Sequence, residues 1–186
     1  GYYEYDGMKI VPSWGGSVFE GLMPTLVIKE AELGKKNLGL NNSRYVEAHI
    51  RFAKKKGYPV WGLSPCTIPG EGYDAYGVKD LGMRGYNAGV VTPHATFLAL
   101  EIAPEEAVTN LKKFLQVYPD IYGEYGFYDS VNVETGQVSK KYLCLDQAMV
   151  LIALNNYLNK GIIRNRFHND EIGRRAEYLL EIEEFY

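Results

Sequence analysis

Three stretches of this chain are apolar on nearly every side, and each is followed by one that is apolar along a single stripe. That alternation is the strongest constraint on the fold. A helix apolar all round must be buried, and a striped helix is the natural cover for it. The expected buried helices run from Ser17 to about Leu33, from His94 to Ile102 and from Leu145 to Asn159. The expected covers run from about Asn41 to Lys56, from Pro104 through Leu115 and from about Asp170 to Glu184.

Local signals place the ends. Ser17 and Glu20 fit the S-x-x-E capping box. Pro24, past the first turn, cannot bond back to the carbonyl of Glu20 and predicts a bend. Gly34, Gly57 and Gly161 read as stops, and Asn41, Asn42 and Ser43 offer a cap for the second helix. Thr92 reads as a cap with Pro93 at the first helical position.

Each buried helix is preceded by an irregular stretch rich in glycine and tyrosine, and the links from buried to striped helix are shorter. The chain has 16 tyrosines, most of them in these stretches. Aromatic loops with few charges suit surfaces that stack on flat apolar faces, sugars included, or simply pack loops onto a core. Residues 58–91 and 118–143 are longer than a compact domain keeps without a use. Val131 to Val133 and Gln137 to Ser139, around Glu134-Thr135-Gly136, read as a hairpin, and Val90-Val91 as a short strand. Residues 1–15 read as extended chain or a small ribbon.

These loops must gather beside the N-termini of the buried helices. The architecture expected is all-α: an α/α toroid with an inner ring, an outer ring and a pocket at one end. A closed toroid of this kind has about six hairpins. With three here, the chain is half a barrel completed by another segment, or an open solenoid. The whole chain, 1–186, is read as one domain. It opens on Gly1-Tyr2-Tyr3-Glu4-Tyr5 rather than Met, which suggests a piece of something longer.

A net charge of −3 gives no basic field for nucleic acid. No run approaches the roughly 18 apolar residues of a membrane span. Cys66 and Cys144 have no metal-binding spacing, and the sequence leaves a disulfide between them open. No Ser/His/Asp triad, phosphate loop or dinucleotide fingerprint is visible, so no cofactor or metal is expected.

Several pieces, in this order, resemble the bacterial glucoamylase-like domain family, which is related to endo-β-1,2-glucanases and to cyclic β-1,2-glucan synthases. They are Pro12-Ser13-Trp14-Gly15-Gly16-Ser17 with Phe19-Glu20 and Leu22-Met23-Pro24; Trp61-Gly62-Leu63-Ser64-Pro65-Cys66; Gly72-Tyr73 with Tyr76-Gly77-Val78; Val91-Thr92-Pro93-His94-Ala95; Tyr125-Gly126-Phe127-Tyr128-Asp129-Ser130-Val131-Asn132; and Tyr142-Leu143 with Leu145-Asp146-Gln147. The resemblance implies a six-hairpin barrel of which this is the C-terminal half, and glycosidase activity. The substrate would be a β-glucan, β-1,2-linked among the candidates, or a related oligosaccharide. An N-terminal half-barrel segment or chain is the implied partner. A non-catalytic glycan-binding or assembly module is the alternative. A polysaccharide substrate favours a periplasmic or secreted location over the cytoplasm.

Glycoside hydrolysis needs a protonated carboxyl for the leaving oxygen and a second carboxylate as base or nucleophile. Glu20, beside the Trp-Gly-Gly turn, is the candidate acid, although it also closes the capping box. Asp129 is the candidate second carboxylate, as a base or a ligand for a sugar hydroxyl, unless it only bonds its own backbone. Asp146 reads as a helix N-cap that could reach the pocket. His94 reads as a donor to a sugar hydroxyl or a helix-start histidine bonded to backbone. Trp14, Trp61, Tyr73, Tyr76, Tyr125 and Tyr128 are the candidate sugar platforms. Glu71 and Asp74 read as solvated, and the second carboxylate could also lie outside this chain.

Overall fold

The computed structural model describes residues 1–185. Its helices are α1 (Val18–Leu22), α2 (Glu30–Leu33), α3 (Leu38–Lys56), α4 (Pro93–Leu98), α5 (Pro104–Val117), α6 (Cys144–Leu158), α7 (Ile162–Asn169), α8 (Glu171–Arg174) and α9 (Glu177–Ile182). Its strands are β1 (Tyr3–Tyr5), β2 (Met8–Ile10), β3 (Cys66–Thr67), β4 (Tyr73–Asp74), β5 (Val90–Val91), β6 (Tyr122–Gly123), β7 (Gly126–Phe127), β8 (Ser130–Asn132) and β9 (Val138–Ser139). Every strand pair is antiparallel: β1-β2, β3-β4 and β6-β7 as ribbons, and β5-β8-β9 as a small sheet. Helices dominate, so the all-α expectation holds only coarsely, and the sheets organise the loops.

Helix α4 packs between α1 and α6, while α3 lies on α1, α5 on α4 and α7 on α6. The helical core joins Val18 and Leu22 to Val46, Ala95, Leu98, Met149 and Ala153. A second core, around Tyr45, Leu63, Val78, Val91, Phe114 and Val131, lies under the loops and explains why they are ordered. Buried Asn110 of α5 ties the two together. It accepts from the Trp61 N–H at 3.1 Å and donates to the Trp61 carbonyl and to Thr96 Oγ1.

The first expected helix is broken rather than bent. After α1 the chain tightens into a 3₁₀ turn over Met23–Leu26, with Pro24 inside it, before α2 starts at Glu30. Helix α3 begins at Leu38, earlier than the Asn41-Ser43 signal, because Asn37 supplies the cap. Helix α4 ends at Leu98 rather than Ile102. The expected tail helix is two short ones, α8 and α9, with Gly173 tucked against the Phe167 carbonyl, where a Cβ would come within 2.2 Å.

Helix α6 departs furthest from expectation. Met149, Ala153 and Asn156 face the core, but Leu145, Ala148, Leu151 and Leu158 form an exposed apolar stripe. Leu151 is 69% and Leu158 70% exposed. Both cysteines are free, Cys66 buried and Cys144 exposed. Among the described residues, no helix is long and apolar enough to cross a membrane.

Candidate active site

The Trp14-Gly15-Gly16 turn is threaded into the long loop. The Val78, Arg84 and Tyr86 N–H groups donate to the carbonyls of Gly16, Trp14 and Gly15. Only glycine allows this approach at position 16: φ is +79°, and a Cβ would sit 2.1 Å from the Val78 carbonyl oxygen. The turn delivers Glu20, which does close the capping box with Ser17. Glu20 Oε2 accepts from Ser13 Oγ at 2.7 Å and from the Gly15 N–H at 2.8 Å. Burial first, then Glu20, raise the phenol pKa of Tyr86.

The pairing of β5 with β8 sets Val91 opposite Val131, which draws His94 and Asp129 to one spot. Asp129 Oδ2 accepts from the Thr67 N–H at 2.6 Å and from Thr67 Oγ1 at 2.7 Å. With its one proton given to Asp129, Thr67 Oγ1 must accept from Ser139 Oγ, 2.7 Å away. The other Asp129 oxygen, Oδ1, is buried and meets no N–H or hydroxyl donor.

Asp146 lies inside the first turn of α6 and caps nothing, since the N-cap position is Leu143. It faces Asp129 instead. Burial first, then the hydrogen bond to Asp129 and the charge there, push its pKa up to about 8. Two buried carboxylates this close cannot both ionise cheaply, so one proton is shared. His94 is not bonded to backbone. Its Nδ1 meets Thr92 Oγ1 at 2.6 Å and its Nε2 meets Ser64 Oγ at 3.0 Å. Burial pushes its pKa down to about 3, so the ring is neutral. Nδ1 also lies 3.3 Å from Asp146 Oδ2, without hydrogen-bond geometry.

His94, Tyr125, Tyr128, Asp129 and Asp146 line one cavity of about 230 Å³, floored by Val150 and Leu154 of α6. Its aromatic wall is braced by the tilted contact of Tyr128 with Tyr142, ring centroids 4.9 Å apart, and by Tyr125 meeting the same ring edge-on. Tyr122, Gln147 and Tyr142 were not singled out by sequence, though Gln147 follows Asp146 in the Leu-Asp-Gln motif. Tyr73 is exposed and does not line the cavity. Burial, then the charges of Asp146, Cys66, Asp129 and Tyr86, raise its phenol pKa.

The remaining platforms lie elsewhere. Trp14 is exposed with the Arg84 guanidinium 5.4 Å above its ring. Trp61 is buried in the helical core and borders a different groove, between α3 and α5, so it is a packing residue rather than part of the cavity wall. Tyr76 is likewise buried, in the core under the loops. Asp74 is exposed and bonds the adjacent Ala75 N–H.

His94, Asp129 and Asp146 each bring a potential ligand atom within 4.8 Å of the others. Both nitrogens of His94 are already engaged, however, and a shared proton relieves the carboxylate repulsion that a cation would otherwise neutralise.

The family model described as "Putative glucoamylase" matches residues 1–171. The cyclic β-(1,2)-glucan synthase NdvB of Rhizobium meliloti (strain 1021) is 33% identical over 200 residues, covering 94% of this chain and 7% of that protein. The endo-β-1,2-glucanase of Chitinophaga pinensis, solved with sophorotriose and glucose, has TM-score 0.75 and 18% identity, covering 97% of this chain and 46% of its own. The β-1,2-glucanase of Parabacteroides distasonis has TM-score 0.78 and 22% identity, covering 96% and 26%. The chain therefore spans under half the length of each of these relatives. With the matched family model running through almost all of it, the chain belongs to the glycoamylase family.

Proposed function

We propose that this chain carries the catalytic carboxylates of a glycosidase acting on a β-glucan. Glu20 protonates the leaving oxygen, and Asp129, sharing a proton with Asp146, serves as the second carboxylate. The observation that carries the reading is a buried carboxylate pair, Asp129 and Asp146, on the wall of a tyrosine-lined cavity. The β-1,2 linkage is the first to test, because it appears in the names of NdvB and of both glucanases. A periplasmic or secreted location goes with a polymeric substrate.

The finer architecture belongs to the same proposal. Helices α1, α4 and α6 form half of the inner ring of a six-hairpin toroid, and α3, α5 and α7 to α9 half of the outer ring. The other half, an N-terminal segment or separate chain, covers the Leu145–Leu158 stripe of α6. Support comes from the exposed leucines and from relatives more than twice as long. A glycan-binding module that is silent without that half is the second reading, favoured by the chain spanning under half the length of its relatives.

Reducing-end release from linear β-1,2-glucan tests both. The chain should cleave, alone or with the segment that precedes the matched region in the longer relatives. Calorimetric binding without sugar release in either case would favour the module. Leu151→Glu should leave the melting temperature of the chain within about 2 °C, since an exposed substitution costs little. It should abolish any gain in activity or mass from the added segment; a gain that survives would sink the toroid.

A further inference from the structure

We propose that Tyr45, on the outer helix α3, is a positioning residue that holds Glu20 through Ser13. This rests on Glu20 being the proton donor. The Tyr45 hydroxyl lies 2.8 Å from Ser13 Oγ, which donates to Glu20 Oε2 at 2.7 Å and accepts from the Gly16 N–H at 2.9 Å. A serine hydroxyl has one proton and two lone pairs. The proton goes to Glu20 and one lone pair to Gly16, so the remaining lone pair takes the Tyr45 proton. Each of the four groups thereby fixes the next, and the Ser13 rotor has a single orientation, aimed at the carboxylate.

Two further features show that the site is built for this ring. Gly21, inside α1, leaves room for it, since a Cβ there would come within 2.8 Å of Tyr45 Cε1. Tyr45 is 1% exposed and its ring is backed by that of His49, centroids 5.4 Å apart. His49 is fully buried and held neutral by burial, so no charge beneath the ring competes for the phenol. With the ring sealed from solvent, water cannot replace the phenolic proton if it is removed. Ser13 would then be free to turn away, and Glu20 would lose its fixed aim. Displacements of this kind cost rate rather than affinity.

Tyr45→Phe removes one oxygen and keeps the ring. Amide exchange at Gly15 and Gly16 should rise about tenfold over wild type, because both N–H groups report on the Ser13–Glu20 contact. On β-1,2-glucan, kcat should fall about tenfold with KM within about twofold. Combining it with Ser13→Ala should be no worse than Ser13→Ala alone. Unchanged exchange at both glycines, or additive losses, would overturn the proposal. In the wild-type chain, the Tyr45 hydroxyl proton should be visible by NMR and protected from water. A freely exchanging proton would overturn the proposal even if Tyr45→Phe failed to fold. Protected protons and faster glycine exchange in a chain that cleaves no glucan would leave the Tyr45 network standing and remove the catalytic reading of Glu20.

Discussion

Glu20→Gln should lower the rate of glucan cleavage by about a thousandfold, in the middle of the range for loss of a general acid. The fold should not register the change. Gln serves at the third position of a capping box as Glu does. Its carbonyl oxygen can accept from Ser13 Oγ and the Gly15 N–H in place of Oε2. What Gln lacks is a transferable proton. The melting temperature should therefore stay within about 2 °C of wild type, and calorimetric binding of a short β-glucan should persist. A variant that cleaves at the wild-type rate would reduce Glu20 to its capping role. A variant that melts many degrees lower would show that its hydrogen bonds hold the Gly15-Gly16 turn together, leaving its proton donation unsupported.

The alternation of apolar and striped segments made the helical framework legible, and the glycine-tyrosine stretches pointed to the loops that line the cavity. Interactions across long sequence distances were not legible. Trp61 looks like a sugar platform in a Trp-Gly-Leu motif, yet its fate is set by Asn110, which bonds both of its backbone polar groups from another helix. Asp146 sits where an N-cap belongs, and only the arrival of Asp129, itself fixed by Thr67, gives its carboxyl a different partner. Helix α6 reads as fully buried because nothing in its own sequence tells a core neighbour from a leucine stripe left uncovered in this chain.

The carboxylate pair should make stability fall with rising pH between about 6.5 and 8. Asp146 is raised from an ordinary 3.8 to about 8. In that window the folded chain still holds its proton and the unfolded chain does not. A group that binds protons more tightly when folded stabilises fully below its unfolded pKa, and the benefit is gone once pH passes the folded value. His49 and His94 act with the opposite sign. Burial lowers both to about 3, so they cost stability only below about 6.5, where the unfolded imidazoles protonate. Asp146→Asn replaces the proton with an amide that donates to Asp129 at every pH. Its melting temperature should stay level from pH 6.5 to 8.5 while wild type falls by several degrees, each 1 kcal/mol being worth about 2–4 °C in a chain of this size. Above pH 8 the variant should melt above wild type. Below pH 6.5 the histidines cost both proteins stability, but the variant should lose it faster, because only wild type still gains from the Asp146 proton as pH falls. Parallel melting curves across the whole range would mean that no proton is shared between Asp129 and Asp146. The second carboxylate would then be sought in the N-terminal segment proposed to complete the barrel.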